Sequence, residues 1–288
     1  MKKNLKVAII GTGKVGTALA LDFSRKKIEV LALIDKDLKK ARLLTLKIKA
    51  KVFSSELSDI PENINLFVIA VQDRFIPEVT KNLSETFSDF RGKYAFHTSG
   101  ALTSEDLNPL EKKGCLVFSL HPNFSFTLNQ LSEQKLISFN ECVFAIESKS
   151  KKAISFAKKI CNELGYKFIK IETSQKTLYH IFSVIISNYT VTKFYQIEKY
   201  FGKKAINSYL SLLKSTIQNI EELGVKRSLT GPIIRQDIPT IQKHLEMLST
   251  IDMNLREIYK RFGKLTVEMI EKELDPDSLI VLKRIFTE

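Results

Sequence analysis

The sequence predicts a chain of two folded parts: an open α/β sheet with helices on both faces, followed by an all-helical domain. The chain has 288 residues, 44% of them hydrophobic, which exceeds what one core usually organises. In residues 1–172, short β-branched segments alternate with helical patterns, as in parallel βαβ units. Residues 173–288 show helical patterns only. We therefore place a domain boundary between residues 172 and 173.

Strands are predicted where β-branched or aromatic runs are bounded by turn residues. These runs are Lys6–Ile10, Val30–Ile34, Lys51–Phe53, Leu66–Val71, Tyr94–Thr98, Leu116–Ser119, Val143–Glu147 and Phe168–Ile171. Amphipathic patterns predict helices at Val15–Lys26 and Ser150–Leu164 between them. In the second part the predicted helices are Gln175–Phe201, Ala205–Leu223, Asp237–Leu248, Asp252–Glu273 and Asp277–Phe286.

Composition restricts the class of protein. Gly11 and Gly13 interrupt the first apolar run too early for a signal peptide, and no later stretch reaches the roughly 18 apolar residues of a membrane-spanning helix. The cysteines, Cys115, Cys142 and Cys161, lack the spacing of a zinc site and suit reduced thiols. We expect a soluble cytoplasmic protein without a membrane segment, a bound metal or disulfides.

The formal net charge of +13 raises the question of a nucleic-acid partner. Lysines spread along the whole chain supply most of this charge, whereas arginine, whose planar fork best matches phosphates and guanine, is sparse. No nucleic-acid-binding motif accompanies the lysines. We expect a solvated basic surface and no nucleic-acid partner. A basic nucleic-acid-binding module would instead bind with an affinity that falls steeply with salt.

The strongest motif is Gly11-Thr12-Gly13-Lys14-Val15-Gly16, which follows a buried-strand pattern and opens an amphipathic helix. In this context the spacing is typical of a dinucleotide-binding loop. The first glycine permits a tight turn, the second lets the backbone approach a pyrophosphate, and the third lets the helix pack on the strand. We predict that these six residues bind a nicotinamide dinucleotide in a Rossmann-type, doubly wound domain.

The choice between NAD and NADP depends on the end of the second strand. Asp35 stands where a carboxylate accepts hydrogen bonds from the adenosine ribose hydroxyls, which favours NAD. Lys36 and Lys39 follow it, and either could reach the 2′-phosphate of NADP. We expect NAD or NADP as the cofactor, with a preference for NAD, and assign Asp35 and Lys36 to its site.

Polar residues follow two later strands, where open α/β sheets place ligands. Val71 and Gln72 are predicted to border the nicotinamide half of the cofactor. Ser99 and Gly100 offer a hydroxyl and a close backbone approach to a substrate, although a turn without function explains them equally well. His121 is our second choice for the residue that transfers a proton, and a histidine that is only hydrogen-bonded in the core is the alternative.

The helix Gln175–Phe201 is apolar almost all round, so we expect it to be the buried centre of its domain. Buried polar side chains are costly unless they are satisfied. His180 is our first choice for the proton donor and acceptor, with Asn188 and Ser99 holding the reacting group. A polar network that only specifies helix packing is the alternative.

The loop at residues 229–240 is rich in Gly and Pro and joins two predicted helices. Asp237 has the position of a helix cap and is also a candidate substrate ligand. Arg235 could clamp a substrate carboxylate with two hydrogen bonds, although a surface salt bridge explains it nearly as well. All the histidines fall in or beside these clusters: His97, His121, His180 and His244.

These motifs together resemble an uncharacterised branch of the Rossmann-like oxidoreductases. Its members have a C-terminal domain of unknown function and are similar to reductases with a 6-phosphogluconate dehydrogenase C-terminal-like domain. The resemblance covers nearly the whole chain and implies a helical second domain that completes the substrate site and forms a homodimer. It rests on the glycine motif, His97-Thr98-Ser99-Gly100, His121-Pro122, Tyr179-His180, Ser187-Asn188-Tyr189, and Leu229-Thr230-Gly231-Pro232 with Arg235 and Asp237.

Two related groups, the ketopantoate reductases and the β-hydroxyacid dehydrogenases, carry a catalytic lysine and an asparagine on the corresponding central helix. By this resemblance His180 stands near the lysine position and Asn188 near an asparagine. The Gln236-Asp237 pair is similar to a ketopantoate-reductase motif, but Glu246 does not align with the glutamate expected downstream. The Ser/Gly/Thr-rich signature of pyrroline-5-carboxylate reductases is not evident.

We therefore expect an NAD(P)-dependent oxidoreductase that transfers hydride to or from a small oxo or imino acid in a cleft between the domains. A non-enzymatic NAD(H)-binding or redox-sensing protein is the alternative. It would keep the glycine motif and Asp35 but would need no histidine in the cleft.

Overall fold

The computed structural model describes residues 5–126, 139 and 141–287. The chain consists of two compact units, Met1–Val191 and Thr192–Glu288. The boundary predicted at 172/173 lies where the sheet ends, since the last strand stops at Lys170. The first part of the long helix that begins at Lys176 belongs to the first unit.

The first unit is built on one sheet whose strand order is β3-β2-β1-β4-β5-β6-β7-β8. Strands β1 to β6 are parallel, and the order reverses at the β1–β4 pair, as in doubly wound folds. The predicted fold class is confirmed. The strands are β1 (Lys6–Ile10), β2 (Glu29–Ile34), β3 (Val52–Ser54), β4 (Leu66–Ile69), β5 (Tyr94–His97), β6 (Leu116–Asn123), β7 (Val143–Glu147) and β8 (Lys167–Lys170).

The last two strands differ from the expected all-parallel arrangement. β7 pairs antiparallel with β6, and β8 runs parallel to β7, so both point the opposite way from the first six strands. The hydrophobic pattern of a buried strand is the same in either direction, which is why the sequence did not reveal this reversal.

Strand β6 continues past the predicted end at Ser119 to Asn123. Its pairing with β5 stops at Ser119, whereas its pairing with β7 continues to Asn123. Proline has no N–H to donate to a neighbouring strand, so it is confined to strand edges. Pro122 is tolerated because β6 no longer pairs with β5 at this point. His121 therefore lies inside the strand.

Strand side chains alternate between two cores. In β1, Val7 and Ile9 pack on one face of the sheet, and Ala8 and Ile10 pack on the other. The first face is covered by α1, α2 and α5, and the second by α3 and α4. The helices are α1 (Lys14–Arg25), α2 (Leu38–Ile48), α3 (Ile76–Thr86), α4 (Asn108–Glu111) and α5 (Lys151–Leu164).

The helical part agrees closely with the predicted elements. Its core lies between α8, α9 and α10 and is formed by Ile241, Leu245, Val267, Ile270, Leu274, Leu282 and Phe286. Among the described helices, none combines the length and the apolar character that crossing a bilayer requires. The helices are α6 (Lys176–Phe201), α7 (Ile206–Leu223), α8 (Ile238–Ile251), α9 (Met253–Met269) and α10 (Pro276–Thr287).

Helix α6 is not the buried centre that its sequence predicts. Lys176 is its only buried residue among the described ones. Apolar side chains such as Phe182 and Ile186 are 57% and 73% exposed within the single chain. The apolar pattern was identified correctly, but it reflects a surface that this chain leaves uncovered.

Candidate functional site

A cavity of about 1210 Å³ lies in the first unit along the carboxyl ends of the parallel strands. Open α/β sheets bind ligands at this edge, beside the point where the strand order reverses. Its walls are formed by the glycine motif, Asp35 and Lys36, residues 55–58 and 70–73, one face of α3, residues 98–100, His121 and His180.

The glycine motif has the geometry that was predicted for it. Gly11 has a φ of +96°, and a Cβ there would lie 2.6 Å from the carbonyl oxygen of Ala70. A Cβ on Gly16 would lie 1.9 Å from the carbonyl oxygen of Gly11, so only glycine allows α1 to pack this closely. Nothing lies within 4 Å of a Cβ at Gly13, which borders the cavity. The loop is open on the side where a ligand would approach.

Asp35 borders the cavity at the end of β2 and is half-buried. Its Oδ2 accepts hydrogen bonds from the backbone N–H of Thr12 at 2.6 Å and from the Thr12 hydroxyl at 2.8 Å. Its Oδ1 accepts one from the N–H of Asp37 at 2.9 Å. Asp35 therefore connects the glycine motif to β2. Lys36 also lines the cavity, with its ammonium 5.6 Å from the ring centre of Phe75.

The loop after β5 is organised by His97. The Nδ1 of this fully buried ring accepts a hydrogen bond from the N–H of Ser99 at 3.2 Å, so the ring proton lies on Nε2 and is donated to the carbonyl of Thr103 at 2.8 Å. Burial lowers the pKa of His97 to about 4. His97 is thus a neutral residue that shapes the loop, not a ligand in the cavity.

Ser99 borders the cavity, but its hydroxyl is already used within the loop. The hydroxyl donates to Asp73 at 2.7 Å and accepts from the N–H groups of Ala101 and Leu102 at 3.2 and 3.0 Å. This arrangement ties the loop after β5 to the segment after β4. Its predicted role of holding a reacting group stays a prediction.

Two imidazoles converge on Gly100. A Cβ at this residue would lie 2.2 Å from Nδ1 of His180 and 2.9 Å from Nε2 of His121. The two rings are nearly perpendicular, at 88°, with centroids 5.8 Å apart. A glycine is therefore required at position 100 so that both imidazoles can approach the backbone. The sequence alone could not show this requirement, because it comes from neighbouring side chains and not from a positive φ.

His121 and His180 hold unused hydrogen-bonding capacity. The Nδ1 atom of each ring is buried and has no hydrogen-bond partner among the described residues. Burial lowers the pKa of His121 to about 3, and the nearby charges of Lys176 and His180 act in the same direction. His121 is therefore a neutral imidazole near neutral pH, able to give or accept a hydrogen bond but poorly suited to supplying a proton.

Lys176 is a residue that the sequence interpretation missed. Its side chain is fully buried, and its ammonium donates a hydrogen bond to the hydroxyl of Ser119 at 2.5 Å. Burial lowers the pKa of Lys176 to about 8, opposed by the charges of Glu147 and Asp73. A lysine at a helix start is usually exposed, so only the apolar context of α6 could have signalled this one.

Several predicted residues are not among those that line the described cavity of the first unit. Asn188 is on an exposed part of α6 and is not among the residues that line the described cavity. Arg235 is exposed in the second unit, and Asp237 caps α8 by accepting from the N–H of Thr240 at 3.2 Å. His244 is exposed and bonds Tyr259 at 2.9 Å. The substrate roles predicted for Asn188, Arg235 and Asp237 stay predictions.

The cavity fits a nicotinamide dinucleotide at its glycine-motif end. The N-terminus of α1 starts at Lys14 directly beside the open face of Gly13, which suits a pyrophosphate. Val71 and Gln72 line the middle of the cavity, between the glycine motif and the two imidazoles. Among the described residues, no group of three or more His, Cys, Asp or Glu side chains is arranged to hold a metal ion.

Comparison with known protein families divides the chain in two. Residues 1–122 match the model of a Rossmann-like domain. Residues 142–266 match the model of a domain of unknown function, DUF2520. None of the curated protein sequences matches the chain.

Solved structures share the fold over nearly the whole chain. A candidate NADP oxidoreductase from Bacteroides fragilis is 23% identical, with a TM-score of 0.73, and the match covers 93% of this chain and 100% of that one. A protein from Thermotoga maritima is 26% identical, with a TM-score of 0.70 and coverage of 93% and 99%. A reductive aminase from Aspergillus terreus, solved with NADPH and ethyl-5-oxohexanoate, is 13% identical, with a TM-score of 0.56 and coverage of 98% and 92%.

Proposed function

We propose that this chain, which joins a Rossmann-like domain to a DUF2520 domain, is an NAD(P)-dependent oxidoreductase acting on a small oxo or imino acid. The predicted combination of these two domains is confirmed by the family matches. The observation that carries the proposal is the pair of imidazoles converging on Gly100 in the same cavity as the glycine motif. A dinucleotide-binding domain alone would need no such pair.

The chemistry divides between cofactor and protein. A bound reduced nicotinamide supplies the hydride, and the protein must supply the proton that completes a hydroxyl or an amine. His180 and His121 reach the place where such a group would lie, next to Gly100. Because burial keeps His121 neutral, we assign proton transfer to His180 and hydrogen bonding of the oxo or imino group to His121.

The remaining walls support this division of roles. Thr98, Ser99 and Gly100 form the floor beside the imidazoles, and their loop is held rigid by neutral His97. A rigid floor keeps a reacting group within hydrogen-bonding distance of the histidines, which is what catalysis by orientation requires. No lysine or arginine of the first unit borders this end of the described cavity, since Lys14 and Lys36 lie beside the glycine motif and Asp35.

We further propose that NAD(H) binds more tightly than NADP(H). A 2′-phosphate placed beside the carboxyl group of Asp35 would meet a second acidic group, which disfavours its binding there. Its bonds to Thr12 hold it at the edge of the cavity. Lys36 is the opposing influence, since it lines the same wall, whereas Lys39 is exposed on α2.

The helical part supports a homodimer. α7 has 18 residues and no buried residue, and its Leu212 and Leu223 are 61% and 51% exposed. Most helical stability in proteins comes from packing an apolar face, so we propose that a second copy covers the exposed apolar side chains of α7. Stable interfaces bury about 800 Å² per partner, and further apolar side chains of α6 and α7, including Ile186 and Ile217, are exposed beside these leucines or on the preceding helix.

The direct test is a screen of purified protein with NADH and NADPH against small oxo acids, including ketopantoate, and cyclic imines. We expect turnover with at least one substrate, and loss of turnover without loss of cofactor binding in His180→Ala. His244→Ala is the matched control, since His244 is exposed in the second unit. Cofactor binding without oxidation by any substrate would instead support an NAD(H)-sensing protein.

A further inference from the structure

Lys176 is a buried cation without an ion pair among the described residues. An ammonium removed from water is expensive unless hydrogen bonds and opposite charges compensate it. Among the described residues, its Nζ makes one hydrogen bond, which it donates to the Ser119 hydroxyl at 2.5 Å. Glu147 and Asp73 act on it only as more distant charges. The arrangement is therefore poorly explained as a device for stability.

The nearby carboxylates are occupied by other donors. Glu147, on β7, is fully buried and accepts from the N–H and hydroxyl of Ser104 at 2.7 and 3.0 Å, and from the Thr173 hydroxyl at 2.8 Å. Asp73 accepts from Ser99. The ammonium is thus left to the Ser119 hydroxyl.

The hydrogen bond between Lys176 and Ser119 joins α6 and β6, the two elements that carry the imidazoles. Lys176 and His180 are one helical turn apart on α6 and share a face. Ser119 and His121 are two residues apart on β6 and also share a face. The hydrogen bond from Lys176 to Ser119 therefore holds the first turn of α6 against β6, next to the point where His180 meets His121.

The same bond reaches the floor of the cavity. An ammonium can only donate, so Ser119 must accept from Lys176 and direct its own proton elsewhere. That proton points to the carbonyl oxygen of Ser99, at 3.5 Å, in the peptide that joins Ser99 to Gly100. One buried cation is therefore linked to α6, to β6 and to the glycine between the imidazoles.

We propose that Lys176 is a positioning residue of this site: through Ser119 it holds the first turn of α6 and the Ser99–Gly100 peptide, and so sets His180 against His121. It acts through these groups and does not itself border the described cavity. The assignment deepens the proposed function and rests on it for its catalytic meaning, but the geometry can be tested without a substrate.

The test measures how fast diethylpyrocarbonate modifies each histidine, by mass spectrometry, in wild type, Lys176→Met and Ser119→Ala. His244 is exposed and gives the reference rate, and fully buried His97 reports any general opening of the fold. We expect faster modification of His180 in both variants, with His97 still protected. Lys167→Met, an exposed lysine on β8, is the control and should match wild type.

Cofactor affinity and turnover complete the test. We expect cofactor affinity to stay within about twofold of wild type, because neither Lys176 nor Ser119 lines the cavity. We expect kcat to fall about tenfold, because the histidine is displaced from the reacting group. If Lys176→Met does not fold, Ser119→Ala alone decides. An unchanged His180 modification rate would overturn the positioning role even if turnover is found, whereas faster modification without any turnover would leave the positioning role standing and remove the proposed function.

Discussion

The rings of His121 and His180 meet at 88° with their centroids 5.8 Å apart, and Gly100 occupies the space beside both. One histidine comes from the extended part of β6 and the other from the first turns of α6. Their meeting requires a residue without a side chain after β5.

Gly100→Ala should reduce turnover by about 100-fold, because a Cβ 2.2 Å from His180 Nδ1 must push at least one imidazole out of place. Cofactor affinity should change little, since the glycine motif is at the other end of the cavity. Steady-state kinetics and a fluorescence titration with NADH measure the two effects. Full activity in this variant would show that the imidazoles need not approach Gly100.

Two glycines of the cofactor loop should respond differently to alanine. Gly16→Ala should destabilise the fold by about 3 kcal/mol or more, because its Cβ would meet the Gly11 carbonyl at 1.9 Å. Gly13→Ala should leave the fold intact, since nothing lies within 4 Å, and should weaken cofactor binding. Urea unfolding and cofactor titration of both variants test this pair. Equal affinity of Gly13→Ala and wild type would argue against a dinucleotide at this loop.

Asp35→Ser should weaken NADH binding and strengthen NADPH binding, each by about tenfold, because the carboxylate that repels a 2′-phosphate is removed. Asp37→Ser is the control: Asp37 caps α2 through the N–H groups of Lys39 and Lys40. It should lower stability slightly without changing the preference. Tighter NADPH binding by wild type, unaltered in Asp35→Ser, would show that Lys36 sets the preference.

Stability should fall as the pH drops from about 6.5 to 4. Burial lowers the pKa of His97 to about 4, so below pH 6.5 the unfolded chain takes up a proton that the folded chain cannot. The loss should reach about 1.4 kcal/mol per pH unit within this window, and His121 adds to it in the same direction. Urea unfolding at pH 7.5 and 5 measures it.

His97→Gln should lose less stability than wild type between these two pH values, although it is less stable at pH 7.5 because the loop hydrogen bonds are disturbed. His244→Gln should keep the acid sensitivity of wild type, since that ring is exposed. Identical pH dependence in all three proteins would mean that His97 is not buried as a neutral ring.

Leu212→Glu should convert the proposed homodimer to monomers and lower the helix content, because it places a charge on the uncovered face of α7. Lys214→Glu, an exposed polar position on the same helix, is the control and should remain dimeric. Sedimentation velocity and circular dichroism give the two readouts. A wild-type protein that sediments as a monomer at micromolar concentration would refute the homodimer.

The sequence was most informative where local chemistry determines structure. The glycine motif and the bounds of α6 and α7 follow from turn residues and helical periodicity, and the structure agrees with them closely. Burial was harder to predict for α6, because an apolar face looks the same whether its own chain or another one covers it. The antiparallel direction of β7 was missed for a related reason, since side-chain alternation carries no information on direction.

The candidate site was only partly predictable. Strand-end logic identified His121, Ser99 and Gly100 in the cavity, and the apolar helix identified His180. Lys176 was missed because its partner, Ser119, is 57 residues away in the sequence and gives no local signal. Contacts between distant segments decide which polar residues of a buried element are used, and one sequence does not contain them.

The extra length of β6 decides where α6 can begin. Strands β7 and β8 run opposite to the first six strands. If β6 ended level with its parallel neighbours, β8 would therefore end at the amino edge of the sheet, far from the cavity. β6 instead continues from Ser119 to Asn123, β7 starts opposite Asn123, and β8 runs beside it, so the chain emerges again near the level of Ser119. Removing two residues from this extension would shift the start of α6 by about 6 to 7 Å along the strand direction. The length of β6 thus determines the distance between His121 on the strand and His180 on the helix. A deletion in this extension would separate the two rings and leave the glycine motif intact.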